Sequence, residues 1–94
     1  MVVVELTPEA ERDLSKAIDH LLQSDVMAAL EFQQSVLQAL ETFAASPIDG
    51  AVAVLPSGQR VRRHFHYPLW IYYQREPTGV FRVLRLYHYA REPL

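Results

Sequence analysis

RVRRHFHYPLWIYYQREPTGVFRVLRLYHYAREP, residues 60–93, decides the fold. It holds the only Trp, all five Tyr and three of the four His. Residues 67–75 are rich in Trp, Ile and Tyr, which suit a pleated, half-buried surface. Pro77, Thr78 and Gly79 interrupt them, and residues 80–87 are β-rich again. Two such runs about a short Pro/Gly connection predict a β-hairpin. Residues 59–67 read as another strand before it, with Pro68 at a strand start or an edge.

Upstream, residues 48–58 read as an irregular crossover with a turn at Pro56, Ser57 and Gly58. Before them Ala29, Phe32, Val36, Leu40 and Phe43 recur with helical spacing, predicting a helix over 26–45. Ser24 or Asp25 can cap its start, and Ser46-Pro47 ends it, because the residue before Pro avoids the α region. Met27, Leu30, Leu37 and Ala44 widen its apolar surface beyond one packing face. A first helix starts at Thr7-Pro8-Glu9, where Thr7 caps and Pro8 fits the first turn. Its stripe is Ala10, Leu14, Ala17, Ile18, Leu21 and Leu22. Residues 2–6 are a short strand candidate. The order is β-α-α-β-β-β, one domain over residues 1–94. It predicts an α+β fold in which an antiparallel helix hairpin packs on one face of a small antiparallel sheet.

There is no Cys, so disulfides and thiolate-bound zinc are excluded. The apolar run at Val2 to Val4 is broken by Glu5 and has no basic segment before it. It is neither a signal peptide nor a membrane span, and a cytoplasmic protein is expected, with no membrane contact. Charge is distributed unevenly. Residues 1–50 carry nine acids and two bases, a balance of −7, while residues 51–94 carry seven Arg and two Glu, a balance of +5. This fits either a basic surface for an acidic partner, or acidic helices compensating a basic sheet.

The C-terminal residues carry a resemblance. Ser46-Pro47 with Gly50, LPSGQR at 55–60, YPLWIYY at 67–73, VLRLYH at 83–88 and AREP at 90–93 follow one another as in the RelE/ParE superfamily of type II toxin–antitoxin toxins. The ending resembles the ParE branch. The resemblance implies a bacterial toxin neutralised by an antitoxin whose disordered tail folds on binding. ParE-like members inhibit DNA gyrase by binding it, whereas RelE-like members cleave messenger RNA on the ribosome. The chain continues past Tyr87-His88-Tyr89 as ParE-like chains do, and has no Lys in its second half, where several ribosome-dependent members use Lys. The expected function is therefore a ParE-like toxin without chemistry or cofactor of its own. A messenger RNA endonuclease, or a non-toxic binding module of the same fold, are the alternatives.

Each function assigns residues. Cleavage by a 2′-hydroxyl needs a base, an acid and fixed cations on the phosphorane. His88 with Tyr87 or Tyr89 would move protons, and Arg62 and Arg63 would hold phosphate. Under the gyrase reading the resemblance points to the tail, with Tyr89, Arg91 and His88 engaging the target. Arg60, Arg62 and Arg63 form a basic surface in either case. On a strand Arg62, His64 and His66 share one face, a cationic strip or an antitoxin-facing one. No acid lies near His64, His66 and His88 in sequence, so no metal site is expected. The aromatic residues suit core and partner surface better than base stacking. Alternation along the last strand puts Phe81 and Val83 toward the helices and leaves Arg85 inward at the sheet's end. There it needs a structural ion pair with a helix acid.

Overall fold

A computed structural model describes residues 2–91. The chain runs β1 (Val3–Leu6), α1 (Pro8–Leu22), α2 (Val26–Ala45), β2 (Ala51–Val54), β3 (Arg60–His66), β4 (Leu69–Arg75) and β5 (Val80–His88), then a short 3-10 turn, Tyr89–Arg91. The sheet order is β1-β5-β4-β3-β2. This is the α+β architecture expected, with both helices packed on one side.

The helices start where their caps allow. Thr7 Oγ1 accepts from Ala10 N at 3.2 Å, and Asp25 Oδ1 accepts from Ala28 N at 3.1 Å. Each bond satisfies a backbone donor that has no partner inside its own helix. The core between helices and sheet gathers Ala10 and Leu14 from α1, and Val36, Leu40 and Ala44 from α2. Leu69, Ile71, Tyr73, Phe81, Val83 and Leu86 face them from β4 and β5. Tyr73 stacks on Phe81 with ring centroids 4.6 Å apart. Met27, Leu30 and Leu37, the surplus apolar residues of α2, stay exposed.

Three details differ from expectation. Residues 51–54, within the expected crossover, form an edge strand antiparallel to β3. The sheet is mixed, because β1 pairs parallel with β5. Short turns force antiparallel neighbours only where strands are consecutive, and most of the chain separates β1 from β5. Thirdly, the alternation along β5 slips. Val83 pairs with Tyr73 but Arg85 pairs with Tyr72, leaving Leu84 as the extra residue of a bulge. A bulge reverses which side chains face the core. Phe81, Val83 and then Leu86 are buried, and Arg85 leaves the helix-facing set. Tyr67 and Pro68 form the β3–β4 turn, with a cis peptide between them, so β4 begins at Leu69.

Where β1 ends opposite Val83, α1 takes over the edge of β5. Thr7 N donates to Val83 O at 3.0 Å and Thr7 Oγ1 to Leu84 O at 2.9 Å. Leu86 N donates to Asp13 Oδ2 at 3.0 Å. An edge that would present bare polar groups is thereby closed.

Candidate functional site

Most of the basic half is engaged inside the molecule. Arg75 donates from Nε to Asp49 Oδ1 at 2.6 Å, from Nη1 to Ala44 O at 2.7 Å, and from Nη2 to Phe43 O and Ser46 O at 3.1 and 3.0 Å. It thus caps the C-terminal carbonyls of α2, the favoured place for a cation. The same bond holds the Asp49 carboxyl below its ordinary range. Tyr73 Oη accepts from Gly50 N at 2.7 Å and donates to Asp49, and burial raises its own pKa. Gly50 is required here, since a Cβ on it would lie 1.9 Å from Arg63 O. Arg62 donates to Gly50 O at 2.8 Å. Arg82 pairs with Glu5 and Glu76. Arg85 grips Asp13 with two bonds, 2.8 and 3.0 Å, from Nε and Nη2. That carboxylate raises the Arg85 pKa further. Of the two readings of the charge asymmetry, these pairs carry out internal compensation: acids at 5, 13 and 49 meet cations of the sheet.

The residues a nuclease would use do not converge. Strand register places His66, Leu69 and His88 in one row on the helix side, and Phe65, Trp70 and Tyr87 in the next row on the opposite side. His88 therefore points away from Tyr87 and Arg63. Arg62 shares the side of His88 but pairs with Tyr73, four positions along β4 from Leu69, which is about 13 Å at ~3.3 Å per residue. His88 Nδ1 accepts from Ala90 N at 3.1 Å, so its ring holds the tail turn. Among the described residues no three His, Asp or Glu gather as metal ligands would.

Two surfaces remain. On the helix side, α2 leaves β3 and β2 partly uncovered. A groove of about 430 Å³ there is lined by Ser35, Gln38, Thr42, Phe43, His64 and His66. His64 stacks on Phe43 at 3.9 Å, and burial, with His66 nearby, lowers its pKa. Ser35 Oγ lies 3.3 Å from His66 Nε2. Register extends this strip along Arg62 beside Val52 and Arg60 beside Val54. Both valines are more than half exposed, at 51% and 61%.

The opposite side of the sheet has a small cluster of its own, Leu55, Val61 and Tyr72, joined by Trp70, Leu84 and Tyr87. No helix residue belongs to it. Arg63 lies 4.1 Å above the Trp70 ring and Arg85 4.5 Å from Tyr87. At the sheet's end Tyr67 and Tyr89 approach to 5.5 Å, and Tyr89 N donates to Pro68 O at 2.9 Å. This meeting of turn and tail was not legible in sequence, since only the folded register brings residues 68 and 89 together. Arg91 closes the tail turn beside them.

Comparison with known proteins now bears on these surfaces. A family model described as the ParE toxin of the type II toxin–antitoxin system parDE matches residues 4–93. No curated protein matches the chain in sequence. A solved structure of the chromosomal ParDE system from P. aeruginosa is similar in fold, with TM-score 0.71 and 19% identity, over 94% of this chain and 96% of that one.

Proposed function

Because this chain belongs to the ParE toxin family of type II toxin–antitoxin systems, we propose that it acts by binding DNA gyrase in the cytoplasm, and that a cognate antitoxin neutralises it. The observation that carries a binding mode of action is the scatter of His88, Tyr87, Arg62 and Arg63 over both sides of the sheet. Acid–base chemistry on one phosphate needs those groups within hydrogen-bond reach of a common centre. Engagement of the target runs through the tail, with Tyr89 and Arg91 as contacts and His88 holding the turn that carries them. Tyr and Arg are frequent anchors of protein interfaces.

The antitoxin reading is supported by the helix-side groove and its continuation over Arg62, Val52, Arg60 and Val54. Alternating cations and exposed valines complement an acidic, apolar segment. Such a segment, folding as it docks, gives a strongly negative heat capacity of binding.

The test is functional. Expression of the toxin alone is expected to block DNA supercoiling and induce DNA damage, and the purified protein to inhibit gyrase in vitro. Transcript cleavage at codon-phased sites with supercoiling intact would replace this reading by the ribosome-dependent nuclease.

A further inference from the structure

Two contacts that cross the groove between α2 and β3 each use a His. His64 lies flat on the Phe43 ring, with centroids 3.9 Å apart and planes within 13°. Two residues on, His66 Nε2 lies 3.3 Å from Ser35 Oγ. Phe43 also belongs to the packing beneath the helix, where it meets Tyr73 and Phe81 edge-on at 5.3 and 6.0 Å. His64 thus covers one face of a ring whose edges are anchored in the core.

What surrounds this stack is apolar, neutral or cationic. From α2 the groove is lined by Ser35, Gln38, Thr42 and Phe43. The acids of that helix, Glu31 and Glu41, are exposed and do not line it. On β3, Arg62 and His66 flank His64 on the same face. On β4, Ile71 pairs with His64, and Tyr73 and Leu69 pair with Arg62 and His66. Arg75 holds its guanidinium 5.6 Å from the Phe43 ring. Asp49, just before β2, is already bound by Arg75 at 2.6 Å and by the Tyr73 hydroxyl. Among the described residues no carboxylate bonds to either imidazole. Covering an imidazole in such surroundings disfavours its charged form, because no acid offsets the loss of water.

A ring turned out into water escapes that penalty and takes a proton at the ordinary 6.5, whereas the stacked ring takes it only at lower pH. Protons therefore bind the turned-out form more readily, and this difference is what lets them shift the balance between the two. Above pH 6.5 the stack is at its most stable, and as pH falls below that value the turned-out form gains. We propose that His64 is a proton-operated cover on this groove: neutral, it lies on Phe43; protonated, it leaves the ring, bares that face and adds a cation to the groove. The change is local, because Phe43 keeps its edge contacts with Tyr73 and Phe81. The groove is the one read above as the antitoxin's. The cover is a property of the free toxin, and that reading decides only what meets the bared ring.

The test follows the free, full chain by NMR as pH is lowered through 6.5 and kept above 3.8, where Asp49 is still ionised. Stacking against an imidazole shifts the Phe43 ring protons upfield. That shift is expected to be lost with the midpoint at which the His64 ring titrates. The Tyr73 and Phe81 rings, stacked on each other at 4.6 Å, are expected to keep their shifts. In His64→Phe, which stacks without taking a proton, the Phe43 shift is expected to persist through the whole range, with a melting temperature that certifies folding. His66→Gln is expected to retain the parental loss. A Phe43 shift that stays constant in the parent while His64 titrates would overturn the proposal, and this reading needs no variant. Simultaneous change in Tyr73 and Phe81 would replace a local cover by general loosening of the core. A loss that survives in His64→Phe would also overturn the proposal, and one abolished by His66→Gln would move the switch to the neighbouring ring and overturn the role of His64.

Discussion

The two sides of this one sheet are built from similar residues for different ends. On the helix side Tyr73, Phe81, Ile71 and Val83 are fully buried, and the Tyr73 hydroxyl has two partners. On the other side Trp70 and Tyr87 are half-buried and Tyr67 and Tyr89 open to solvent. The first set is consumed by packing, where each ring removes a large apolar area from water. The second set has no helix residue in its cluster; Arg63 and Arg85 lie across Trp70 and Tyr87, and Leu55 joins the cluster from the β2–β3 turn. Aromatic content alone therefore says nothing about role in this protein; what each ring faces decides it.

The sharpest way to break this comparison is truncation. Phe81→Ala removes a ring with 0% exposure and is expected to cost about 3–5 kcal/mol. Tyr67→Ala, from the open end of the other side, is expected to change stability by no more than about 0.5 kcal/mol. Urea denaturation of both variants measures the gap. Equal costs would mean that the two sides are one continuous core.

Arg85 sits between the two sides, and its loss is expected to rank next. Its partner Asp13 is largely buried, with 14% of its side chain exposed. Arg85→Ala strips two bonds from that carboxylate, a change worth about 1–3 kcal/mol. Asp13→Ala is expected to cost more, since it also orphans Leu86 N. A lowered melting temperature in both, measured by circular dichroism, is the expected outcome. An unchanged Arg85→Ala would make the pair a surface contact without structural weight.

Much of the covered side was legible in sequence, because its signals are local. The bounds of α2 at Val26–Ala45 follow from the Asp25 cap, the helical stripe and Pro47. The strands of residues 60–88 follow from composition and the Pro/Gly turns. What was not legible depends on where chain segments meet. β2 is four small apolar residues, Ala51–Val54, with no alternation to announce a strand. The Leu84 bulge changes phase without any Gly or Pro to mark it. Arg75 could not be recognised as the cap of α2, since its reach depends on the helix ending beside β4. For the same reason the charge asymmetry left two readings open until Arg75, Arg82 and Arg85 were seen against their acids.

Acid sensitivity sharpens the comparison further, at smaller amplitude. His64 lies on the helix side against Phe43, and burial depresses its pKa below the ordinary 6.5. The folded state thus binds this proton less readily than the unfolded chain. Its contribution is complete above pH 6.5 and is lost as pH falls through the lower folded value. Asp49, depressed by Arg75, behaves alike below its ordinary 3.8. Stability measured against pH is therefore expected to decline in two steps on acidification. His64→Leu should remove the step nearer neutrality and leave the lower one, and Asp49→Asn the reverse. A decline just below pH 6.5 that persists in His64→Leu would assign it to another group.

The smallest expected effect on stability belongs to Arg91, in the tail turn Tyr89–Arg91. A charged residue past the last strand contributes little to folding, and Arg91→Ala is expected to leave the melting temperature unchanged. It follows Tyr89 by two residues in that turn. If the tail meets the target, removing one of its cations slows association and weakens inhibition of supercoiling, with more effect at low salt than at high. Arg85→Ala would fail differently, losing melting temperature before inhibition. Measuring both properties on both variants separates a residue that holds the fold from one that meets a partner. An Arg91→Ala protein that inhibits supercoiling with parental potency at low salt would take Arg91 out of the target contact.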